Sequence, residues 1–144
     1  MAVDERIAAL IPHAGTMCLL ERIEHWDDNS VAVATATHRD PANPLAGRLG
    51  LRAINLCEYG AQAMAVHGGL ATQALGGRAQ PGLLVSLRDV TLGCDFVHEL
   101  EGDLLVEARR LHESGTAWQY EFRVTHAGKR LAQGRATVSV VSRA

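Results

Sequence analysis

One stretch constrains the chain more than any other. From Gly50 to Ala74 it reads "GLRAINLCEYGAQAMAVHGGLATQA", rich in alanine, free of proline and poor in β-branched residues. Such a segment favours a helix, because alanine gives up no side-chain freedom there. Leu51, Ile54, Glu58, Ala61 and Ala65 recur at helical spacing and predict one buried stripe. The run ends at "LGGRAQPG", whose glycines and proline cannot continue it. One carboxylate, Glu58, interrupts this small and apolar pattern, although a buried unpaired acid is costly. Its retention there asks for an explanation.

The flanking sequence has a different rhythm. Residues 3–10 predict a short amphipathic helix stopped by Pro12. "MCLLERIEHW" and "VAVATATH" on either side of "DDNS" predict a strand, a turn and a strand. Residues 39–49, with two prolines and a glycine, predict a loop. Beyond the helix come "GLLVSLRDVTLG", "DLLVEARRLHE", "TAWQYEFRVTH" and "KRLAQGRATVSVV", each bounded by polar or glycine turns. In the third, Trp118, Tyr120, Phe122 and Val124 alternate with Gln119, Glu121 and Arg123, the period of a half-buried antiparallel strand. "HAGK" predicts the hairpin turn into the last strand. About six strands therefore accompany one long helix of small residues, and a single helix covers an antiparallel sheet only if the sheet curls around it. The expectation is an α+β chain, one domain over residues 1–144, with the sheet wrapped on a central helix: the hot-dog fold.

Composition removes several function classes. A net charge of −2 argues against nucleic acid, which demands a basic excess. No run approaches the roughly 20 apolar residues of a membrane span, and "MAVDERIAAL" has acids where a signal peptide would be basic, so a cytoplasmic location is expected. Cys18, Cys57 and Cys94 form no CxxC pair, which fits reduced thiols. None of the seven histidines pairs with another at i, i+4 beside an acid, so no metal site is expected.

Three motifs resemble one family in order and spacing. "LIPHAGTMCLLERI" is similar to the opening of hot-dog 3-hydroxyacyl-[acyl carrier protein] dehydratases. "INLCEYGAQAMA" resembles their central helix, with Glu58 on the catalytic acid. "CDFVHELEGDLLVEARRL" resembles their segment before a long strand, with Glu101-Gly102-Asp103 in place of a Pro-Gly-Asp turn. The likeness runs over about residues 10–141. It departs at one point: fourteen residues before the acid, where the fatty-acid enzymes carry a Gly-His-Phe-Pro-Gly turn, this chain has Pro44. In that respect it looks closer to the predicted dehydratases of aryl-polyene-type pathways.

The resemblance implies dehydration of 3-hydroxyacyl thioesters on acyl carrier protein to 2-enoyl thioesters, with no cofactor beyond the carrier's phosphopantetheine tether. That chemistry requires a base for the C2 proton, an acid for the leaving hydroxyl and donors for the thioester oxygen. Glu58 is the expected acid. His13 and, as its rival, His38 are the candidate imidazoles, since imidazole titrates near pH 6.5. Gly47 and Gly50 are expected to bring backbone N–H groups close to the thioester, Gln62 to orient Glu58 from one turn away, and Asn43 or Asn55 to meet the hydroxyl. Cys57 is expected in the core, His67 at the helix C-terminus in a structural role. Arg48, Arg52, Arg78 and Arg88 are the expected contacts for an acidic carrier protein. A homodimer or an oligomer of dimers is expected, as is, alternatively, a heteromer with a second hot-dog protein. Two other readings stay open at this point: a hot-dog thioesterase, in which Glu58 activates water or attacks the thioester, and a non-catalytic subunit that binds acyl chains.

Overall fold

The computed structural model describes residues 3–11, 15–77 and 82–140. A short helix α1 (Glu5–Leu10) leads to strands β1 (Arg22–Trp26) and β2 (Ser30–Thr35). The long helix α2 (Leu56–Ala74) follows, and then β3 (Gly82–Leu92), β4 (Leu104–Ser114), β5 (Ala117–His126) and β6 (Lys129–Val140). All six strands form one sheet in the order β1-β2-β4-β5-β6-β3, antiparallel at every pairing. The sheet wraps α2, as the hot-dog expectation requires.

Local chemistry sets the element ends. Asp4 caps α1 by accepting the Arg6 N–H at 2.9 Å. Asp27 Oδ1 accepts the N–H groups of Asn29 and Ser30, both at 2.8 Å, closing the β1–β2 turn. Ala127 and Gly128 both have positive φ, at 49° and 80°, the conformation that a two-residue hairpin needs between β5 and β6.

The core lies between α2 and the concave face of the sheet. Tyr120, Phe122 and Val124 of β5 point inward, as their alternation predicts, beside Val106 and Ala108 of β4 and Ala132 and Ala136 of β6. Small residues let helix and sheet close up. A Cβ at Gly60 would stand 2.5 Å from the Phe122 ring, and one at Gly134 would stand 2.7 Å from it. The Phe122 ring therefore fills a slot that exists only because both positions lack side chains.

Three expectations are corrected. The first strand begins at Arg22, since residues 15–17 form a 3-10 turn and Cys18–Glu21 run outside the sheet. The helix begins at Leu56, after a 3-10 turn at Ala53–Asn55. Gly50 has a positive φ of 118°, which no helix allows, and Arg52 bridges to Phe96, so tertiary pairing holds this segment out of the helix. Third, the stripe through Ile54, Glu58, Ala61 and Ala65 is the half-open face of the helix: Ile54 is 49% exposed and the other three are half-buried. Leu51, at the stripe's start, is buried before the helix begins. The buried helical face carries Leu56, Tyr59, Ala63, Val66, His67 and Leu70.

Candidate active site

Glu58 sits in the first turn of α2, where no side chain caps the helix and a negative charge suits the exposed N–H groups. Its carboxylate reaches Gln62, one turn on. Gln62 is 3% exposed, and its amide is oriented from both ends. Gln62 Oε1 accepts the Leu19 N–H at 2.9 Å, and Nε2 donates to the Met17 carbonyl at 2.8 Å and to Glu58 Oε1 at 3.3 Å. A flipped amide would break both backbone bonds, so the donor must face Glu58. The segment 17–19 and the helix thus hold the acid in place together. His13 lies outside the described residues.

Loop 36–46 is tied down by a second network. Asn43, buried, donates to the Thr37 carbonyl at 2.9 Å and to the Tyr59 hydroxyl at 3.0 Å, while its oxygen accepts the Leu45 N–H at 2.9 Å. Thr37 Oγ1 lies 2.8 Å from the Tyr59 hydroxyl and donates to the Leu19 carbonyl at 2.6 Å. Burial pushes the Tyr59 phenol above its ordinary range. The Asn43 amide is therefore engaged within the loop at each of its ends. His38 is 1% exposed, and its Nε2 donates to the Leu100 carbonyl at 2.8 Å. Its Nδ1 is buried and has no partner among the described residues. Burial lowers its pKa and keeps the ring neutral.

Gly47 and Gly50 close a tight turn on each other. The Gly47 N–H donates to the Gly50 carbonyl at 3.0 Å, and the reverse bond is 3.1 Å. Each N–H is thus taken up by the other glycine's carbonyl across the turn, and the expectation that both would be offered to a thioester oxygen is corrected. The adjoining wall comes from residues to which the sequence offered no guide. A Cβ on Gly50 would stand 2.0 Å from the His98 ring, whose Nδ1 accepts the Leu51 N–H at 3.2 Å. His98 meets Phe96 edge to face at 5.7 Å, and the Arg52 guanidinium lies 4.9 Å over the Phe96 ring. Phe96 and Arg52, together with Leu45, Arg48, Leu49, Asn55 and the two glycines, surround an open cleft of roughly 700 Å³. Asn55 lines that cleft, and Glu58, three residues on, shares its helical face. A glycine outside any obvious turn, at position 50, was the available hint of a close neighbour.

The structure thus brings Glu58 and Gln62 together, sets Gly47, Gly50, Arg48, Arg52 and Asn55 around the adjacent cleft, and places His38 and Asn43 in the supporting loop. Arg88 is on β3 and donates to Gln119 at 3.3 Å; Arg78 is outside the described residues. Cys57 is half-buried with a thiol pKa raised by burial. His67, fully buried, lies between the Asp27 carbonyl and the Tyr120 hydroxyl, away from this site.

Known proteins share this fold. The sequence matches the ApeP-like family, described as ApeP dehydratase, over residues 5–143. No curated protein matches it in sequence. In structure it is similar to the dehydratase heterocomplex ApeI:P from Xenorhabdus doucetiae, at TM-score 0.83 and 23% identity, covering 95% of this chain and 91% of that one. It is also similar to a hypothetical thioesterase protein with coenzyme A from Streptococcus pneumoniae, at TM-score 0.61 and 18% identity, covering 85% and 86%. A thioesterase enzyme of Staphylococcus aureus, in a mutant form, matches at TM-score 0.60 and 14% identity, covering 83% and 92%. These likenesses in structure share the hot-dog fold, and the match over nearly the whole sequence decides the family. The chain belongs to the ApeP-like dehydratase family and is a dehydratase, a lyase.

Proposed function

We propose that the chain removes water from a 3-hydroxyacyl thioester tethered through phosphopantetheine to an acyl carrier protein, giving the 2-enoyl thioester without metal or redox cofactor. The observation that carries this reading is the Gln62 amide nitrogen 3.3 Å from Glu58, in a frame fixed by two backbone bonds. An imidazole takes the C2 proton, the C3–O bond breaks, and Glu58 protonates the departing hydroxyl, so that one water leaves and one double bond forms. His13 is assigned the base. In this reading His13 of one chain works with Glu58 of the other, which makes a dimer part of the site. His38, neutral and fastened to Leu100, serves to position the loop that holds Asn43. The three cysteines are free and half-buried, in keeping with a cytoplasmic location.

The test is mass spectrometry of a 3-hydroxyacyl carrier protein incubated with the protein. Loss of one water from the intact acyl carrier supports dehydration. Loss of the whole acyl group would make the chain a thioesterase, and neither change would remove the catalytic reading of the isolated chain.

A second assembly has its own support. The likeness to a heterocomplex, and an edge strand β3 with exposed Leu84, Val85 and Leu87, favour a hot-dog neighbour at that edge. Our reading is a homodimer, with a heteromer as the alternative; native mass spectrometry of the protein alone and with a co-expressed hot-dog chain separates them.

A further inference from the structure

We infer that the cleft ahead of α2 binds the phosphate of a phosphorylated pantetheine arm, with Arg48 and Arg52 as its cationic contacts. This rests on the thioester reading above and names the part of the substrate that the cleft takes.

The lining is the first argument. Arg48 and Arg52 both open onto the cleft, both are exposed, and among the described residues no carboxylate pairs with either. In a chain of net charge −2 these two cations stand in a cleft with no acid among its described lining residues. Their neighbours are apolar: Leu45, Phe96 and Leu49, the last 71% exposed at the tip of the Gly47–Gly50 turn. A phosphate next to a branched hydrocarbon carbon, as at the phosphorylated end of pantetheine, has the same division of charged and apolar surface. A guanidinium fork offers several N–H donors to such an oxyanion.

The second argument is that one of the cations is held ready. Arg52 lies over Phe96, Phe96 packs edge-on against His98, and His98 is fixed by the Leu51 N–H and by the space left at Gly50. An arginine already stacked loses less freedom on binding than one waving in solvent.

The third is distance. Arg52 precedes Glu58 by six residues of 3-10 and α-helical chain, which is about 10 Å along the axis. Asn55, between them, lines the cleft on the face that Glu58 shares. With the outward reach of the arginine side chains added to that rise, one arm can rest its phosphate on the arginines while its thioester end lies at the acid.

Binding of 4′-phosphopantetheine and of pantetheine to the full chain is measured by titration calorimetry, at millimolar ligand if needed. Phosphopantetheine should bind better by about tenfold or more, the scale of a charge-assisted hydrogen bond. Arg48→Ala with Arg52→Ala should bring the two affinities together, and Arg52→Lys should fall between because it keeps the charge and loses the fork. Equal affinities in the wild type, no measurable binding of either compound, or a preference that survives both alanine substitutions would each overturn the inference. So would a loss seen with the carrier protein alone and absent with free phosphopantetheine, since the arginines would then be reading the carrier's surface. A persistent phosphate preference in a protein that dehydrates nothing would sink the proposed reaction and leave this site standing.

Discussion

Gln62 and Glu58 are joined 3.3 Å apart on one face of α2, and the same Gln62 amide is bonded to the backbone at both Met17 and Leu19. One side chain therefore carries a structural and a chemical task. Gln62→Leu would leave a buried N–H and a buried C=O without partners, at a cost of about 2 kcal/mol or more. Urea unfolding should show that loss, together with slower dehydration. Gln62→Glu keeps an acceptor for Leu19 but sets a second carboxylate against Glu58. Its stability should be lowest near neutral pH and recover on acidification, as one proton comes to be shared between the pair. A flat profile would mean that the two groups do not interact in solution.

Glu58→Gln separates chemistry from folding. On a fully buried face, removing the charge would stabilise the protein; on the half-open face that the structure shows, little desolvation is relieved. The acid also sits favourably in the first turn of α2, an interaction worth about 0.3–1 kcal/mol. The variant should therefore be equal to or slightly below the wild type in stability, within about 1 kcal/mol. Dehydration should fall by about 100-fold or more, the scale of general acid–base catalysis. Wild-type turnover in this variant would make Glu58 a structural residue and end the proposed mechanism.

The slot around Phe122 offers a packing test. Gly60→Ala would gain about 1 kcal/mol of helix propensity. It would also drive a methyl group to 2.5 Å from the Phe122 ring, and overpacking of this kind costs about 1–3 kcal/mol. A net destabilisation is expected because the ring is also confined by Gly134 on its other side. Phe122→Leu in the same chain should recover part of the loss. The double-mutant cycle in urea should therefore be non-additive, and strict additivity would show that the ring moves aside freely.

How far the sequence was legible can be judged from these same residues. The alternation of Trp118, Tyr120, Phe122 and Val124 was readable because a strand's period of two assigns large apolar side chains to one face. Gln62 was readable because it stands at i+4 from the acid. The buried face of α2 was not. Alanine and glycine occur on both sides of it, at positions 60, 61, 63, 65, 68 and 69, so the segment has no polar face to contrast with an apolar one. Choosing the stripe with Glu58 as the buried one had nothing to correct it. The helix start was misplaced for a related reason: Gly50–Arg52 are held out of the helix by Phe96, Val97 and His98, more than 40 residues away. Contacts of that range leave no spacing signal, and the cleft they build was invisible for the same reason.

The pH dependence of stability should trace to His67. Its Nε2 donates to the Asp27 carbonyl at 3.1 Å, so its Nδ1 must accept from the Tyr120 hydroxyl at 2.7 Å. Burial lowers the His67 pKa first, and Arg110 nearby lowers it further, against smaller opposing effects of Asp27 and Asp28. Burial likewise lowers that of His38. For a base whose folded pKa is depressed, the unfolded chain binds the extra proton first. The stabilising contribution is thus complete above the unfolded value near 6.5 and is lost as the pH falls from there through the folded value. Denaturation midpoints should decline with acidification below pH 6.5, and His67→Gln should make that decline shallower while lowering stability at neutral pH. An unchanged slope would assign the acid sensitivity to other groups.

The last prediction concerns the open edge. β3 pairs with β6 on one side only, and its first half exposes apolar side chains, Leu84 at 44% and Val85 at 59%. A bare strand edge of this composition invites another strand, and natural sheets cover such edges or charge them. The charges of β3, Arg88 and Asp89, come only after the run of residues 84–87, which leaves that run bare. The half-open stripe of α2, with Ile54 and Glu58, gives a second uncovered surface for a neighbouring chain to meet. In a two-fold pair each substitution acts twice. Losing about 1.5 kcal/mol of burial at each copy of Val85 would weaken association by about 100-fold or more. Val85→Asp should therefore shift the protein from dimer to monomer at micromolar concentration by light scattering, with its far-ultraviolet circular dichroism retained, and activity should fall with the dimer if the proposed two-chain site is used. A wild-type protein that is monomeric at those concentrations, or a Val85→Asp dimer as tight as the wild type, would show that this edge is not where the chains meet.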